Sequence, residues 1–122
     1  GRLYVYKIYG IHHCINMVTE VKGKGAAVLI RAVQPIYGIN LMKSNRNKDK
    51  IEILCKGPGN TAKAFKLDLT DNGKSLNSKK LFISSYKNVK SSDIITTRRI
   101  GISKSSHLKL RFYLKNSKFI SK

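Results

Sequence analysis

The sequence predicts an α+β fold, a mostly antiparallel, curved, open-barrel-like sheet with a few short helices. Two patterns carry that reading. Short runs of β-branched and aromatic residues, punctuated by glycine turns, occupy both ends of the chain. Helical spacing and helix-start signals fall between them. Size agrees: 122 residues with 41% hydrophobic side chains make a single domain, able to bury roughly two thirds of its unfolded surface around one core.

Leu3–Tyr9 and Ile11–Thr19 read as two strands meeting at a tight bend at Gly10. Lys22-Gly23-Lys24-Gly25 is a second turn, followed by the apolar run Ala26–Val33, which Arg31 interrupts and Pro35 ends. Ile36–Met42 suits a short helix, with Ile36, Ile39 and Met42 on one face. Residues 43–50 carry no apolar side chain and are expected to form a solvated loop. Gly57-Pro58-Gly59-Asn60 opens a second short helix over Thr61–Phe65, where proline fits an early turn. Beyond it, Asp71-Asn72-Gly73-Lys74 is a turn, Lys80–Ser84 a short strand and Lys87–Asp93 a polar connection. Ile94–Ile102 and Leu108–Leu114 read as the last two strands.

Charge narrows the function classes. Lys and Arg total 25 against 6 for Asp and Glu, a formal net charge of +19. Self-repulsion at that level opposes compaction, so a polyanionic partner is expected: DNA, RNA or an anionic membrane surface. The lysines are spread along the chain rather than gathered in an amphipathic helix or tail, which favours nucleic acid. No apolar run approaches the ~20 residues needed to cross a bilayer. The N-terminus does not read as a signal peptide, and the absence of an initiator Met raises the expectation that an upstream part is missing.

Cys14 and Cys55 are isolated, with no histidine at zinc-finger spacing, so no metal is expected and an intracellular, reducing setting is. In a strand, His12 and Cys14 face one way and His13 the other. The chain has no G-x-G-x-x-G, P-loop or H-E-x-x-H motif, and no cofactor is called for. Tyr4 and Tyr6 share one strand face, while Leu3, Val5 and Lys7 share the other. Tyr9, beside Gly10, can project from the hairpin tip as a DNA-inserting side chain would. On pattern alone, all three tyrosines can equally be packing residues of the sheet.

Tyr4-Val5-Tyr6-Lys7-Ile8-Tyr9-Gly10-Ile11-His12-His13-Cys14-Ile15-Asn16 resembles a sequence block of the alkyladenine (3-methyladenine) DNA glycosylase family. Five further segments follow in order: Ala27–Pro35, Gly38–Met42, Gly57–Gly59, Thr97–Ile102 and Arg111–Tyr113. The resemblance thus runs along nearly the whole chain. It implies a base-excision repair enzyme that flips alkylated or deaminated purines out of double-stranded DNA and hydrolyses the N-glycosidic bond. It also implies a monomer, with residues 1–122 forming the C-terminal two thirds of the glycosylase fold.

Roles follow by resemblance. Tyr9 matches the intercalating tyrosine, which offsets part of the few kcal/mol lost when a base leaves the stack. Ile11 and His12 match its flanks in the minor groove. Tyr6 matches a ring that stacks on the flipped base, and an electron-poor alkylated purine favours such a face. Tyr4 falls on the same side. Asn16 matches the asparagine that discriminates against guanine. Arg31 matches an arginine at the pocket mouth, facing a phosphate or the attacking water. An arginine inside an apolar run is costly unless paired, so its position independently marks a site. Ile100 matches the residue whose backbone carbonyl positions that water.

The family's general base, a glutamate upstream of the tyrosine block, has no counterpart here. Glu20, Asp49, Glu52, Asp68, Asp71 and Asp93 read as surface charges. Two alternatives therefore stand: a glycosylase fragment that needs its upstream part to act, or a nucleic-acid-binding remnant without catalysis. A sheet edge left unpaired at the first strand is expected as well.

Overall fold

The computed structural model describes residues 1–85 and 87–121. It is α+β with antiparallel strand pairing throughout, and the strands divide between a three-stranded sheet and a separate two-stranded ribbon.

Strands β1 (Leu3–Ile8) and β2 (His12–Val18) form the expected hairpin, with Leu3 opposite Met17, Tyr4 opposite Asn16 and Tyr6 opposite Cys14. Alternation separates its two faces. Leu3, Val5 and Ile15 are buried on one, whereas Tyr4 is 46% exposed on the other. Strand β3 (Ala27–Leu29) joins the free edge of β2 and sets Asn16 opposite Leu29. The rest of the apolar run follows the sheet more loosely: the Ile30 N–H donates to the Ile15 carbonyl at 3.0 Å, and Ala32 bridges to Lys56.

Helix α1 spans Ile39–Arg46, later and longer than expected, so the presumed loop 43–50 is in its first half helical. Gly38 explains the start, because its left-handed φ of 68° bars the helix from reaching back to Ile36. Tertiary hydrogen bonds explain the polar second turn: Asn45 donates to the Ala64 carbonyl and Arg46 to the Leu54 carbonyl, each at 2.9 Å. The short α2 (Ile51–Leu54), which no sequence signal marked, buries Leu54 completely. Helix α3 (Pro58–Ala64) begins three residues before Thr61, with proline in its first turn.

The core has two parts joined by α3. Ala62 packs with Leu3, Val5, Ile15 and Leu76 under the sheet, while Ala64 packs with Met42, Leu54 and Cys55 between the helices. After a 3₁₀ turn at Leu69–Asp71, the chain returns along the outer edge of β1. There the Leu3 N–H donates to the Lys74 carbonyl at 2.9 Å, the Gly73 N–H to the Leu3 carbonyl at 2.8 Å, and the Val5 N–H to Asn72 Oδ1 at 2.9 Å. The edge expected to be unpaired is therefore covered along its first half.

The expected strand at Lys80–Ser84 is absent. Ser78 Oγ donates to the Leu81 carbonyl and accepts from its N–H, both at 3.0 Å, closing a turn that leaves Phe82 only an isolated bridge to Asn77. The last two strands are real but short, β4 (Ile94–Thr97) pairing with β5 (Arg111–Leu114). Left-handed backbone at Gly101 and Ser105 bends the intervening residues out of the ladder. No helix among the described residues is long and apolar enough to cross a membrane.

Candidate nucleic-acid interface

The tip of the first hairpin holds an aromatic residue where backbone and solvent both disfavour one. The Ile11 N–H donates to the Ile8 carbonyl at 3.3 Å, and Tyr9 and Gly10 between them have φ of 52° and 69°. Two successive left-handed residues make a type I′ turn, which selects Asn-Gly or Gly-Gly. A tyrosine in that conformation costs about 1–2 kcal/mol. Nothing in the fold repays the cost, since Tyr9 is 81% exposed and Ile11 beside it 72%. Backbone strain of this kind, at a residue that packs on nothing, points to a functional demand on the side chain.

Behind the tip, the face turned away from the core gathers four of the remaining sequence-marked residues. The rings of Tyr4 and Tyr6 are tilted against each other with centroids 5.6 Å apart. Opposite Tyr4, Asn16 is buried and its amide donates to the Tyr4 carbonyl at 3.2 Å. The core thus takes Leu3 and Val5 and leaves the tyrosines on an open face.

The fourth residue is Arg31. Extending the β2–β3 register two residues past Leu29 brings it beside Cys14. Its Nε donates to Ser121 Oγ at 3.2 Å, and one terminal nitrogen reaches the Ile100 carbonyl at 3.5 Å. Arg111, on β5, braces the same corner, donating to Thr97 Oγ1 at 3.1 Å and to the Ser121 carbonyl at 2.6 Å while its guanidinium stacks 4.6 Å from the Tyr113 ring centre. Ser121 carried no signal in the sequence. Arg111 did, through the Arg-Phe-Tyr segment, but without a role.

Electrostatics make this corner a place for negative charge. Burial, and next the charge of Arg111, pull the Arg31 guanidinium below its ordinary range, with Cys14 and Tyr6 acting the other way. Burial pushes the Tyr6 hydroxyl above the ordinary phenol range, and the adjoining Cys14 thiol adds to the shift through charge and a hydrogen bond. Two cations share one corner, and neither makes an ion pair among the described residues, where the single salt bridge is Lys74–Asp71. An anion arriving there would meet two neighbouring positive charges, both partly buried.

No described hydrogen bond or ion pair links an acid to this face. Asp68 and Asp71 cap the 3₁₀ turn, and Glu20 is exposed in the bend after β2. At the start of β2, His12 rests against Gly59 of α3, and both His12 and His13 border a depression there.

A family model described as methylpurine-DNA glycosylase matches residues 1–118. A curated candidate 3-methyladenine DNA glycosylase from Prosthecochloris aestuarii is 44% identical over 122 residues, covering all of this chain and 59% of that protein. Relatives of the same description from Methanoculleus marisnigri and Francisella tularensis subsp. tularensis are 42% and 45% identical over 125 residues, covering all of this chain and 65% of each. The chain therefore spans 59 to 65% of the length of these relatives. It belongs to the methylpurine-DNA glycosylase family.

Proposed function

We propose that this chain carries the DNA-engaging and base-recognising part of a 3-methyladenine-type DNA glycosylase in base-excision repair. The observation that carries the reading is the exposed, left-handed Tyr9 standing ahead of one face that unites Tyr4, Tyr6, Asn16 and Arg31. Tyr9 enters the duplex and fills the gap left by an extruded purine, with Ile11 and His12 lying along the minor groove. The flipped base stacks on Tyr6 with Tyr4 beside it. A cationic or electron-poor alkylated purine gains more from those π faces than a normal base does.

Asn16, held by the Tyr4 carbonyl, presents its remaining amide valence to the base edge and opposes the guanine 2-amino group. Arg31 and the Ile100 carbonyl, 3.5 Å apart, offer a donor to a phosphate and an acceptor to a water. Hydrolysis proceeds through an oxocarbenium-like transition state and needs a carboxylate to activate that water. No acid among the described residues is bonded into the face. The base is then a glutamate contributed by protein outside these 122 residues, and the chain by itself binds without cutting.

The test is binding of the 122-residue chain to a duplex with one abasic site and to the matched undamaged duplex, followed by fluorescence anisotropy. Preference for the abasic duplex that disappears in Tyr9→Ala is expected. Equal affinity for the two, unchanged by the substitution, refutes the reading and leaves a basic protein that holds nucleic acid by charge alone.

A further inference from the structure

Beside the hairpin tip, between β2 and the end of α3, lies a depression of about 320 Å³ bordered by His12, His13, Asn45, Lys63, Lys66 and Asp68. Four of the nine residues that line it, the two histidines and the two lysines, are of basic type, and Ile11 and Leu67 are apolar. Two local features show that the fold gives up comfort to build it. Gly59 lets His12 sit directly on the helix: a Cβ there would come within 3.2 Å of the His12 side chain. Lys66 is stranger. The Leu67 N–H donates to the Ala62 carbonyl at 2.9 Å and the Lys66 N–H to the Lys63 carbonyl at 3.1 Å, the paired bonds of a Schellman helix end. The residue at its left-handed position, with φ of 55°, is Lys66, where glycine is the rule.

A lysine at a position that favours glycine is a local strain, and its side chain borders the depression. The one acid in the lining, Asp68, stays ionised and subtracts from the positive charge, leaving the two lysines in excess. Asp68 Oδ1 already accepts from the Thr70 N–H at 2.7 Å and from the Thr70 hydroxyl at 2.6 Å, and those bonds hold its carboxyl below the usual range. Asn45, also in the lining, ties α1 to the Ala64 carbonyl of α3.

We propose that this depression is a backbone-phosphate seat, in which Lys63 and Lys66, with His12 and His13, grip the DNA strand next to the point where Tyr9 enters it. The proposal rests on the duplex-binding reading above and adds to it a second, separate contact. Gripping a phosphate beside the inserted ring fixes the register of the strand while the nucleotide is displaced, a task that base contacts alone do not perform.

The experiment titrates the 122-residue chain and its K63Q/K66Q variant against a duplex bearing one abasic site, between ~50 and ~200 mM salt. Lys63 and Lys66 are exposed, so the fold tolerates the change. The variant is expected to bind about 3- to 10-fold more weakly at the lower salt, with the slope of log affinity against log salt smaller by about 1 to 2. The same charge removed at the far end of the hairpin, in K22Q/K24Q, should move the slope by less than half as much. A single methylphosphonate beside the abasic site should weaken the unsubstituted chain several-fold and leave K63Q/K66Q unaffected. Lys66→Gly separates support from function: it should raise Tm by about 3–6 °C by relieving the left-handed lysine, yet weaken DNA binding. Duplex binding with unchanged affinity and slope in K63Q/K66Q overturns the phosphate seat and spares the duplex reading. So does an equal loss in K22Q/K24Q. Failure of the unsubstituted chain to bind any duplex overturns both.

Discussion

The Arg31 guanidinium meets the Ile100 carbonyl although 69 residues separate them, and the same side chain reaches Ser121 near the far end of the chain. One arginine, at the point where the third strand leaves its ladder, therefore fastens the C-terminal ribbon to the tyrosine face. Its charge is partly buried beside another arginine, an arrangement poor for stability and suited to a passing anion. The substitution Arg31→Lys tests the fastening. A lysine keeps the charge but cannot bond Ser121 and Ile100 from one planar fork. Hydrogen exchange should speed up at residues 99–102 and 119–121 while the β1–β2 hairpin stays protected, with a stability loss of about 1–2 kcal/mol. Unaltered exchange at both segments would show that the contacts are incidental.

Tyr9 should behave unlike any core aromatic. Tyr9→Asn supplies the residue that a type I′ turn prefers, so stability should rise by about 1 kcal/mol while preference for an abasic duplex is lost. Tyr9→Ala should leave folding nearly unchanged. A loss near the ~3–5 kcal/mol typical of truncating a buried aromatic, read from urea unfolding, contradicts the exposed placement of the ring.

Tyr6 gives a prediction in pH. Its hydroxyl titrates above the ordinary phenol value of 10.0 in the folded chain. The folded state therefore holds the proton more tightly than the unfolded state. The corresponding stability is fully present below pH 10 and is lost as pH rises from there through the folded-state value. Tyr6→Phe should flatten the alkaline limb of a thermal-stability profile recorded between ~pH 8 and ~pH 11. An identical limb in both proteins assigns the effect elsewhere.

The first hairpin was legible because alternation, a glycine at the bend and an aromatic-rich run all point the same way. Pattern alone left open which face of β1 is buried. Leu3 and Val5 won because Ala62 and Leu76 meet them there. The helices were less legible. Lys43-Ser44-Asn45-Arg46 looks like a loop by composition, and only the carbonyls of Leu54 and Ala64, supplied from elsewhere in the fold, hold it as a helix. Of the site, Tyr9, Tyr6, Asn16 and Arg31 were marked in the sequence. Arg31's partner Ser121 was not, since a serine 90 residues away leaves no local trace.

Duplex binding should be dominated by phosphates. With 25 basic residues against 6 acidic ones, log affinity should fall with log salt at a slope near −0.9 per phosphate engaged. Anisotropy titrations on undamaged duplex at several salt concentrations give the number of contacts directly. An affinity that does not move with salt contradicts nucleic-acid binding altogether.

The last prediction concerns chemistry. Tyr6 and Asn16 can hold a flipped base, and Arg31 with the Ile100 carbonyl can orient a water, but no described acid is bonded at this face. Losing a general base typically costs ~10²–10⁴-fold in rate, while binding can persist. The 122-residue chain should therefore excise little or no hypoxanthine or 3-methyladenine from duplex DNA in a gel assay for abasic-site cleavage. A longer version carrying the glutamate that the family resemblance places ahead of the tyrosine block should excise, and changing that glutamate to Gln should abolish excision again. Robust excision by the 122 residues alone would mean that one of their own acids is the base. Glu20 would be the first to replace, because it follows the hairpin most closely in the chain, and its loss of activity as Glu20→Gln would move the catalytic centre to the far end of β2.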